Sequence, residues 1–203
     1  MKNYIVFEGC DYTGKTTLAK AFLEFFKTNV SANVICTKEP GSPLSEVCVK
    51  IRELIIHSKN IKFPETYSCL FAADTFEHLH DIVIPALNSL ETVISDRCVV
   101  SDFAYRPNVD FGIRGGNFNI FKSLNPLVVW CKTTPEIIKE RYSRRSDTNE
   151  FELKHVINRV EEINQNYEIF FNNNPRIDTI VFHSINDNGK LNENLFNRII
   201  HYV

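Results

Sequence analysis

Residues 9–16 of this chain read GCDYTGKT and match the pattern G-x-x-x-x-G-K-[ST]. The match directly follows the apolar run Tyr4–Phe7 and directly precedes Lys15–Lys27, where apolar residues recur every three or four positions. A strand, such a loop and a helix in this order bind phosphate, because backbone N–H groups and the positive end of the helix converge on the anion. A turn that only needs glycine does not require Lys-Thr after it. We therefore expect an ATP or GTP site in which Lys15 contacts the outer phosphates and Thr16 binds Mg²⁺.

The rest of the chain alternates short apolar runs with longer stretches of helical period. The runs are apolar on successive residues, which is typical of strands covered on both faces. This order predicts an α/β protein with a P-loop NTPase fold: a mainly parallel five-stranded sheet flanked by helices, with a small lid. One helix is expected over Phe151–Phe171, and another begins near Tyr67 and bends or ends at Pro85. The four further strands are expected at Asn33–Thr37, Thr92–Ser95, Leu127–Cys131 and Thr179–Phe182.

Composition excludes several classes of protein. A length of 203 residues with 43% hydrophobic residues suits one domain over 1–203, with no visible linker or repeat. The 23 Lys and Arg against 25 Asp and Glu give a net charge of −2, so no general basic surface for nucleic acid is expected. No apolar run approaches the ~20 residues of a membrane helix, and Glu8 and Asp11 interrupt the first run too early for a signal peptide. Six cysteines without metal-ligand spacing suggest reduced thiols in the cytoplasm.

Two groups of charged residues follow predicted strands. Asp96 ends the third run, where an acidic side chain can hold a metal beside the phosphates, although the pair Asp96-Arg97 also suits a surface salt bridge. Arg141, Arg144 and Arg145 fall within five residues after the fourth run. Such a cluster is often a solvated helix end, but an arginine on a mobile segment can also stabilise the transferred phosphoryl group. We place the lid at about 141–150.

Several blocks of sequence resemble the thymidylate kinase family of nucleoside monophosphate kinases. KEPGSP at 38–43 is similar to the family's Arg-Glu-Pro-Gly-Gly-Thr segment, and IREL at 51–54 follows it as in bacterial members. LFAAD at 70–74 is similar to the segment with the base-stacking phenylalanine. Residues 96–105 resemble Asp-Arg-[Tyr/His]-x-x-Ser-x-x-Ala-Tyr, with Cys98 in place of Tyr or His. The chain is identified as a divergent member, such as a viral one.

The resemblance implies ATP-dependent phosphorylation of dTMP to dTDP with Mg²⁺ by a cytoplasmic homodimer that binds neither nucleic acid nor membrane. The implied ATP-binding residues are Gly9, Asp11, Tyr12, Thr13, Gly14, Lys15, Thr16 and Thr17. The implied catalytic residues are Lys15, Asp96, Arg97, Arg141, Arg144 and Arg145, and the metal ligands are Thr16 and Asp96. The implied acceptor-binding residues are Asp11, Glu39, Phe71, Thr75, Arg97, Ser101, Asp102 and Tyr105.

Within this set, the resemblance implies that Arg97 holds the acceptor phosphate, Phe71 stacks on the base and Tyr105 favours a deoxyribose. Asp11 would approach the acceptor sugar and the metal, and the segment 183–188 would lie near the donor adenine. Judged from the residues alone, Phe71 and Tyr105 are more typical of core positions.

Two departures from the family concern the acceptor base. Thr75 stands where members usually carry an arginine that donates to the 4-carbonyl oxygen of thymine, and only a hydroxyl or a bridging water remains to replace it. Asp102 stands where Asn, Thr or Ser is common, and a carboxylate accepts from the N–H groups of a pyrimidine or of guanine. We therefore keep dUMP and dGMP as alternative acceptors. The region 107–121 does not align with the family.

Two other classes of protein share the loop. A regulatory NTP-binding or NTPase module would leave the acceptor-side blocks without a purpose, and the guanine-reading Asn-Lys-x-Asp is absent. A nucleoside kinase also uses an Asp-Arg pair and differs in consuming the nucleoside rather than its monophosphate.

Overall fold

The computed structural model describes residues 2–30, 32–57, 61–146, 153, 156–183 and 193–203. Its strands are β1 (Tyr4–Glu8), β2 (Val34–Lys38), β3 (Thr92–Asp96), β4 (Leu127–Lys132) and β5 (Asp178–His183). Its helices are α1 (Lys15–Asn29), α2 (Glu46–His57), α3 (Pro64–His78), α4 (Ile84–Asn88), α5 (Val100–Tyr105), α6 (Phe111–Ser123), α7 (Pro135–Ser143), α8 (Val160–Asn173) and α9 (Glu193–Ile200). All five predicted strands are confirmed to within one residue at each end.

The five strands form one parallel sheet in the order β2-β3-β1-β4-β5. The central strand β1 pairs with β3 on one side and with β4 on the other. The chain first builds the β3 side and then crosses to the β4 side, so the strand order reverses beside β1. Ligands of open α/β sheets bind at such a reversal, at the carboxyl ends of the strands. The fold therefore places the loop after β1 at the expected binding edge.

The three central strands β1, β3 and β4 are covered on both faces, as their uninterrupted apolar runs predicted, whereas the edge strands β2 and β5 are partly exposed. In β1, Ile5 and Phe7 pack on the face covered by α1 and α9, while Tyr4 and Val6 pack on the opposite face. Phe22 of α1 lies 5.7 Å, centroid to centroid, from the ring of Phe7. Burial of such rings from water supplies much of the stabilising free energy of the fold.

The helical run that carries Pro85 is not ended by this proline. The π-helical turn Leu79–Val83 joins α3 to α4, and the N–H of Ile84 donates to the carbonyl oxygen of Leu79. Proline has no N–H and its ring crowds the preceding turn, so a widened turn before Pro85 lets the helix continue. The run ends only at Asn88.

The helix expected over Phe151–Phe171 is confirmed from Val160 onward but is not continuous through residues 156–159. A 3₁₀ turn at Ile157–Arg159 leads into α8, which starts at Val160, and residues 151, 152, 154 and 155 lie outside the described part of the chain. The predicted apolar face is buried: Val156, Val160, Ile163 and Tyr167. In the described ranges, no helix combines the length and the hydrophobicity needed to span a membrane.

Candidate active site

The loop between β1 and α1 has the strained backbone of a phosphate cradle. Gly9 has φ +145°, and a Cβ there would lie 2.3 Å from the carbonyl oxygen of Cys131 on β4. Gly14 has φ +88° and caps the N-terminus of α1. The hydroxyl of Thr13 donates to the carbonyl oxygen of Cys10 at 2.9 Å, which holds the loop closed. Only glycine tolerates the close approach at position 9, so the motif spacing follows from this geometry.

Lys15 begins α1 and folds its side chain back over the loop. Its ammonium group lies 3.3 Å from the carbonyl oxygen of Cys10 and 3.4 Å from Oδ1 of Asp11. Only 5% of the residue is exposed, while Thr16 and Thr17 in the same turn are exposed. The loop thus carries one concentrated positive charge beside its backbone N–H groups, which suits a polyphosphate.

Thr16 and Asp96 meet at the carboxyl end of β3. The Thr16 hydroxyl donates to Asp96 Oδ2 at 2.5 Å. The other oxygen, Asp96 Oδ1, is buried and accepts no hydrogen bond from any described residue. A hydroxyl next to a carboxylate with a free oxygen fits a small hard cation such as Mg²⁺, which keeps several waters and binds through oxygen ligands.

Arg97 connects the loop to the segment after β3. One guanidinium nitrogen, Nη1, donates to the Gly9 carbonyl at 3.0 Å and to the Ser101 hydroxyl at 2.7 Å. The other, Nη2, lies 2.5 Å from Asp11 Oδ1 and 3.1 Å from the Tyr105 hydroxyl. The backbone of Arg97 is left-handed, with φ 76°. Strain of this kind in a non-glycine residue is typical of functional sites.

Glu8 is a buried acceptor that the sequence analysis did not assign to the site. Its carboxylate accepts from the backbone N–H of Cys98 at 2.9 Å, from the Ser101 hydroxyl at 3.0 Å and from the Tyr167 hydroxyl at 2.7 Å. It also lies 4.0 Å from Arg97. Glu8 thus fixes the residues that orient Arg97. Like Asp96 on β3, Glu8 is an acidic residue at the carboxyl end of a parallel strand, and this position could have predicted that it belongs to the site.

Asp11 is surrounded by positive charge. Burial alone would raise its pKa, but the charges of Arg97 and Lys15 and the hydrogen bonds from Arg97 and Tyr105 hold the pKa of Asp11 below its ordinary value. The Tyr105 hydroxyl donates to Asp11 Oδ2 at 3.0 Å and accepts from the Asp11 N–H at 3.0 Å. Burial raises the pKa of Tyr105 well above its ordinary value, so the phenol stays protonated. The predicted acceptor residues Asp11, Arg97, Ser101 and Tyr105 thus form one hydrogen-bonded cluster beside the loop.

Glu39 and Thr75 belong to a second, buried network. The Thr75 hydroxyl donates to Glu39 Oε2 at 2.9 Å, and Glu39 Oε1 lies 2.6 Å from Nδ1 of His78. The opposite ring nitrogen of His78 lies 2.8 Å from the Thr37 hydroxyl. The Glu39 N–H donates to the carbonyl oxygen of Asp96, which ties this network to β3. Since the Thr75 hydroxyl is engaged with Glu39, its predicted contact with an acceptor base stays a prediction. No feature of the sequence pointed to His78.

Phe71 and Asp102 both meet an arginine that the sequence did not single out. Asp102 is 6% exposed, and its Oδ1 accepts from Nε of Arg106 at 2.6 Å, while Oδ2 lies 3.3 Å from Nη1 of Arg114. The guanidinium carbon of Arg106 lies 3.9 Å from the centroid of the half-buried Phe71 ring. The carboxylate expected to face a base is therefore paired with guanidinium groups, and its direct contact with a base also stays a prediction.

The three arginines of the predicted lid have different surroundings. Arg141 Nη1 donates to the Tyr12 carbonyl at 2.9 Å, and the guanidinium of Arg145 lies 5.5 Å from the centroid of the Tyr12 ring. Arg144 instead pairs with Glu140 at 2.5 Å, and its side chain is 75% exposed. Arg141 and Arg145 therefore adjoin the phosphate loop, and Arg144 does not. Residues 147–150 of the predicted lid and 184–188 of the predicted adenine segment lie outside the described residues.

Comparison with known proteins agrees with this geometry. The sequence model of one protein family, described as "Thymidylate kinase", matches residues 7–183. The chain is 36% identical over 160 residues to the thymidylate kinase of Onion yellows phytoplasma, which covers 74% of each chain. It is 34% identical over 178 residues to that of Buchnera aphidicola, covering 84% of this chain and 77% of the relative. It is 35% identical over 161 residues to that of Lactobacillus acidophilus, covering 76% and 74%. This chain belongs to the thymidylate kinase family.

Proposed function

We propose that this protein transfers the γ-phosphoryl group of ATP to dTMP and releases dTDP and ADP. The proposal is carried by the contacts of Arg97, which reaches both the backbone of the phosphate loop and the Asp11-Tyr105 pair. A guanidinium in that position can hold a second phosphate next to the one bound by the loop. Transfer between two bound phosphates needs little covalent chemistry, so positioning and charge stabilisation account for catalysis.

In this proposal each side of the site binds one reactant. Gly9, Thr13, Gly14 and Lys15 bind the ATP phosphates, and Thr16 and Asp96 hold Mg²⁺, which neutralises charge on the donor phosphates when bound. Arg97 fixes the acceptor phosphate for in-line attack, and the charge of Asp11 keeps Arg97 in place. The lid supplies the remaining positive charge that stabilises the transferred phosphoryl group. Arg141 and Arg145 are better placed for this role than Arg144.

On the acceptor side, Phe71 supplies the aromatic face for the base, and Tyr105 lies where it would crowd a 2′-hydroxyl. The acceptor side is also lined by Asp11 and Ser101, which bind Arg97, and by Glu39, which binds Thr75. The base-reading positions Thr75 and Asp102 do not by themselves decide between dTMP, dUMP and dGMP, whereas the family relationship favours dTMP.

We further propose that one domain spans 1–203, with a lid at about 141–150, and that the protein acts as a cytoplasmic homodimer. Two packed helices each expose a phenylalanine, Phe76 on α3 and Phe111 on α6, with 52% and 53% of each residue accessible. Asn117 of α6 donates to the carbonyl oxygen of Ala72 on α3, which holds the two helices together. Exposed aromatic side chains on two packed helices support association with a second copy, and light scattering tests it.

One experiment tests the reaction. The protein is incubated with ATP, Mg²⁺ and, separately, dTMP, dUMP, dGMP, dCMP, dAMP or thymidine, and the diphosphate and ADP are quantified. We expect dTDP from dTMP, no phosphorylation of thymidine and little ADP without an acceptor. Formation of ADP alone would favour an NTPase, and thymidine phosphorylation would favour a nucleoside kinase. Lys15→Met should abolish turnover in the same assay.

A further inference from the structure

Tyr12 lies at the tip of the phosphate loop, at a position that the motif G-x-x-x-x-G-K-[ST] leaves open. Its backbone is left-handed, with φ 67°, although the residue is not a glycine. A glycine would adopt this conformation without strain, whereas a tyrosine adopts it only where the surrounding contacts compensate for the strain. The strained backbone therefore points to a role for the Tyr12 side chain.

Tyr12 contacts the end of α7 through its ring and through its backbone. The half-buried Tyr12 ring meets the ring of Tyr142 edge to face, with centroids 5.5 Å apart and planes at 90°. Aromatic pairs favour this arrangement, because the positive edge of one ring faces the negative face of the other. Arg141 Nη1 donates to the Tyr12 carbonyl at 2.9 Å. These two contacts fix the orientation of the Tyr12 ring relative to α7.

Arg145 follows α7 and lies over the ring of Tyr12. Its guanidinium carbon is 5.5 Å from the ring centroid, which is within the range of a cation–π interaction. The Arg145 N–H donates to the carbonyl oxygen of Tyr142 at 3.1 Å, so Tyr142 contacts both the backbone of Arg145 and the ring of Tyr12. Arg145 is exposed to solvent. A long exposed side chain has many rotamers, and the contact with an aromatic face restricts it to fewer of them.

We propose that Tyr12 is a positioning residue that holds the guanidinium of Arg145 beside the phosphate loop, where Arg145 stabilises the charge of the transferred phosphoryl group. The inference rests on the proposed function, since it concerns the transfer step of that reaction. Lys15 is the only cation in GCDYTGKT, so a further positive charge has to come from another segment of the chain. Tyr12 carries no charge itself and instead fixes the place of one.

The test is a double-mutant cycle between Tyr12 and Arg145, with single-turnover transfer from ATP to dTMP as the readout. Tyr12→Gly removes the ring and suits the left-handed backbone, and it should lower the transfer rate roughly three- to thirtyfold. The KM values of ATP and dTMP should change much less, because the phosphate-binding groups remain. Tyr12→Phe keeps the ring and should retain most of the rate. In an Arg145→Ala background, Tyr12→Gly should cause little further loss.

Three outcomes of this cycle would overturn the proposal. The same loss from Tyr12→Gly with and without Arg145 would show that the two residues act independently. A loss confined to the KM of ATP would make Tyr12 part of the ATP-binding surface only, and an equal loss with Tyr12→Phe would assign the effect to the hydroxyl. Tyr202→Gly is the matched control. The Tyr202 carbonyl accepts from the Lys2 N–H, before β1 and at the opposite edge of the sheet from the loop, so this variant should keep the full rate.

A failure of the proposed function gives a different result, since the unmodified protein would then form no dTDP. In that case the preference for the non-hydrolysable ATP analogue AMPPNP over ADP, measured as a ratio of Kd values by calorimetry, replaces the rate as the readout. AMPPNP carries the third phosphoryl group that ADP lacks. Arg145→Ala and Tyr12→Gly should both reduce this preference, and Tyr12→Phe should preserve it. A preference that Tyr12→Gly leaves unchanged would overturn the proposal.

Discussion

Nη2 of Arg97 lies 2.5 Å from Oδ1 of Asp11, so the residue proposed to hold the acceptor is directly bound to the loop proposed to hold ATP. The two residues are 86 positions apart in sequence, and the left-handed backbone of Arg97 directs its side chain toward the loop. Arg97 and Lys15 together hold the pKa of the half-exposed Asp11 carboxyl below its ordinary value, so the two residues are electrostatically coupled. A change at Arg97 should therefore affect both substrates, though unequally.

Arg97→Lys tests which substrate depends more on this residue. Lysine keeps the charge but loses the planar fork that contacts Gly9, Ser101 and Asp11 at once. We expect kcat/KM for dTMP to fall roughly ten- to hundredfold, with a smaller effect on the KM of ATP. Steady-state kinetics with each substrate varied in turn measure both. Equal effects on the two substrates would make Arg97 an organiser of the loop rather than a ligand of the acceptor.

The free oxygen of Asp96 leads to a prediction about the metal. Asp96→Asn keeps an acceptor for the Thr16 hydroxyl but removes the negative charge. The Mg²⁺ concentration for half-maximal activity should rise roughly ten- to hundredfold, as is common for residues that support a bound metal. A Mg²⁺ titration at saturating nucleotide gives this value. An unchanged titration curve would place the metal elsewhere. Asp81→Asn, at an exposed aspartate on the π-helical turn, is the matched control.

The contacts of the lid arginines predict an order of effects. Arg141→Ala and Arg145→Ala should each lower kcat by at least about a hundredfold, because both side chains adjoin Tyr12 at the tip of the loop. Arg144→Ala should lower it much less, since Arg144 pairs with Glu140 at the surface. Single-turnover measurements separate chemistry from product release. Arg144→Ala serves as the control, and a larger effect there than at the other two would refute the assignment.

The sequence was sufficient for the sheet and the loop because both depend on local pattern. Continuous apolar runs mark the strands, of which the central three are buried on both faces. The spacing of the two glycines and of Lys-Thr in GCDYTGKT is specific to a phosphate-binding loop. The predicted acceptor residues Asp11, Arg97, Ser101 and Tyr105 also came together, as the resemblance implied. Their individual roles stay predictions.

The partners of these residues could not be predicted, because they depend on tertiary contacts with no local signature. Glu8 receives a hydrogen bond from Tyr167, 159 positions away, and Asp102 pairs with Arg114 from the region that did not align. In the sequence, Asp102 suggests an acceptor for the N–H groups of a base. In the structure, its buried carboxylate pairs with Arg106 and Arg114. Burial and charge pairing determine which groups an ionisable side chain can bind, and neither can be predicted from its position in the sequence.

Asp74 is a buried carboxylate in the network behind Glu39. Its Oδ1 accepts from the Gly41 N–H at 2.9 Å, while Oδ2 is buried and makes no hydrogen bond to the described residues. Burial, followed by the charge of Glu39, raises the pKa of Asp74 to about 6. An acid whose pKa is higher in the folded than in the unfolded chain binds its proton more tightly when folded. Its contribution therefore lowers the stability of the fold as the pH rises from about 4 through about 6.

Asp74→Asn should remove this penalty, because asparagine keeps an acceptor for the Gly41 N–H and carries no charge. Near pH 4 the variant and the unmodified protein should differ little, since the carboxyl group is then largely protonated in the folded chain. Above pH 6 the variant should be more stable by up to about 3 kcal/mol, the free energy that corresponds to a shift of about two pKa units. Urea unfolding between pH 4 and pH 8 measures the difference at each pH. Asp81→Asn, which replaces an exposed aspartate, should show no such dependence. A difference for Asp74→Asn that is constant across this range would mean that the ionisation of Asp74 is not its cause.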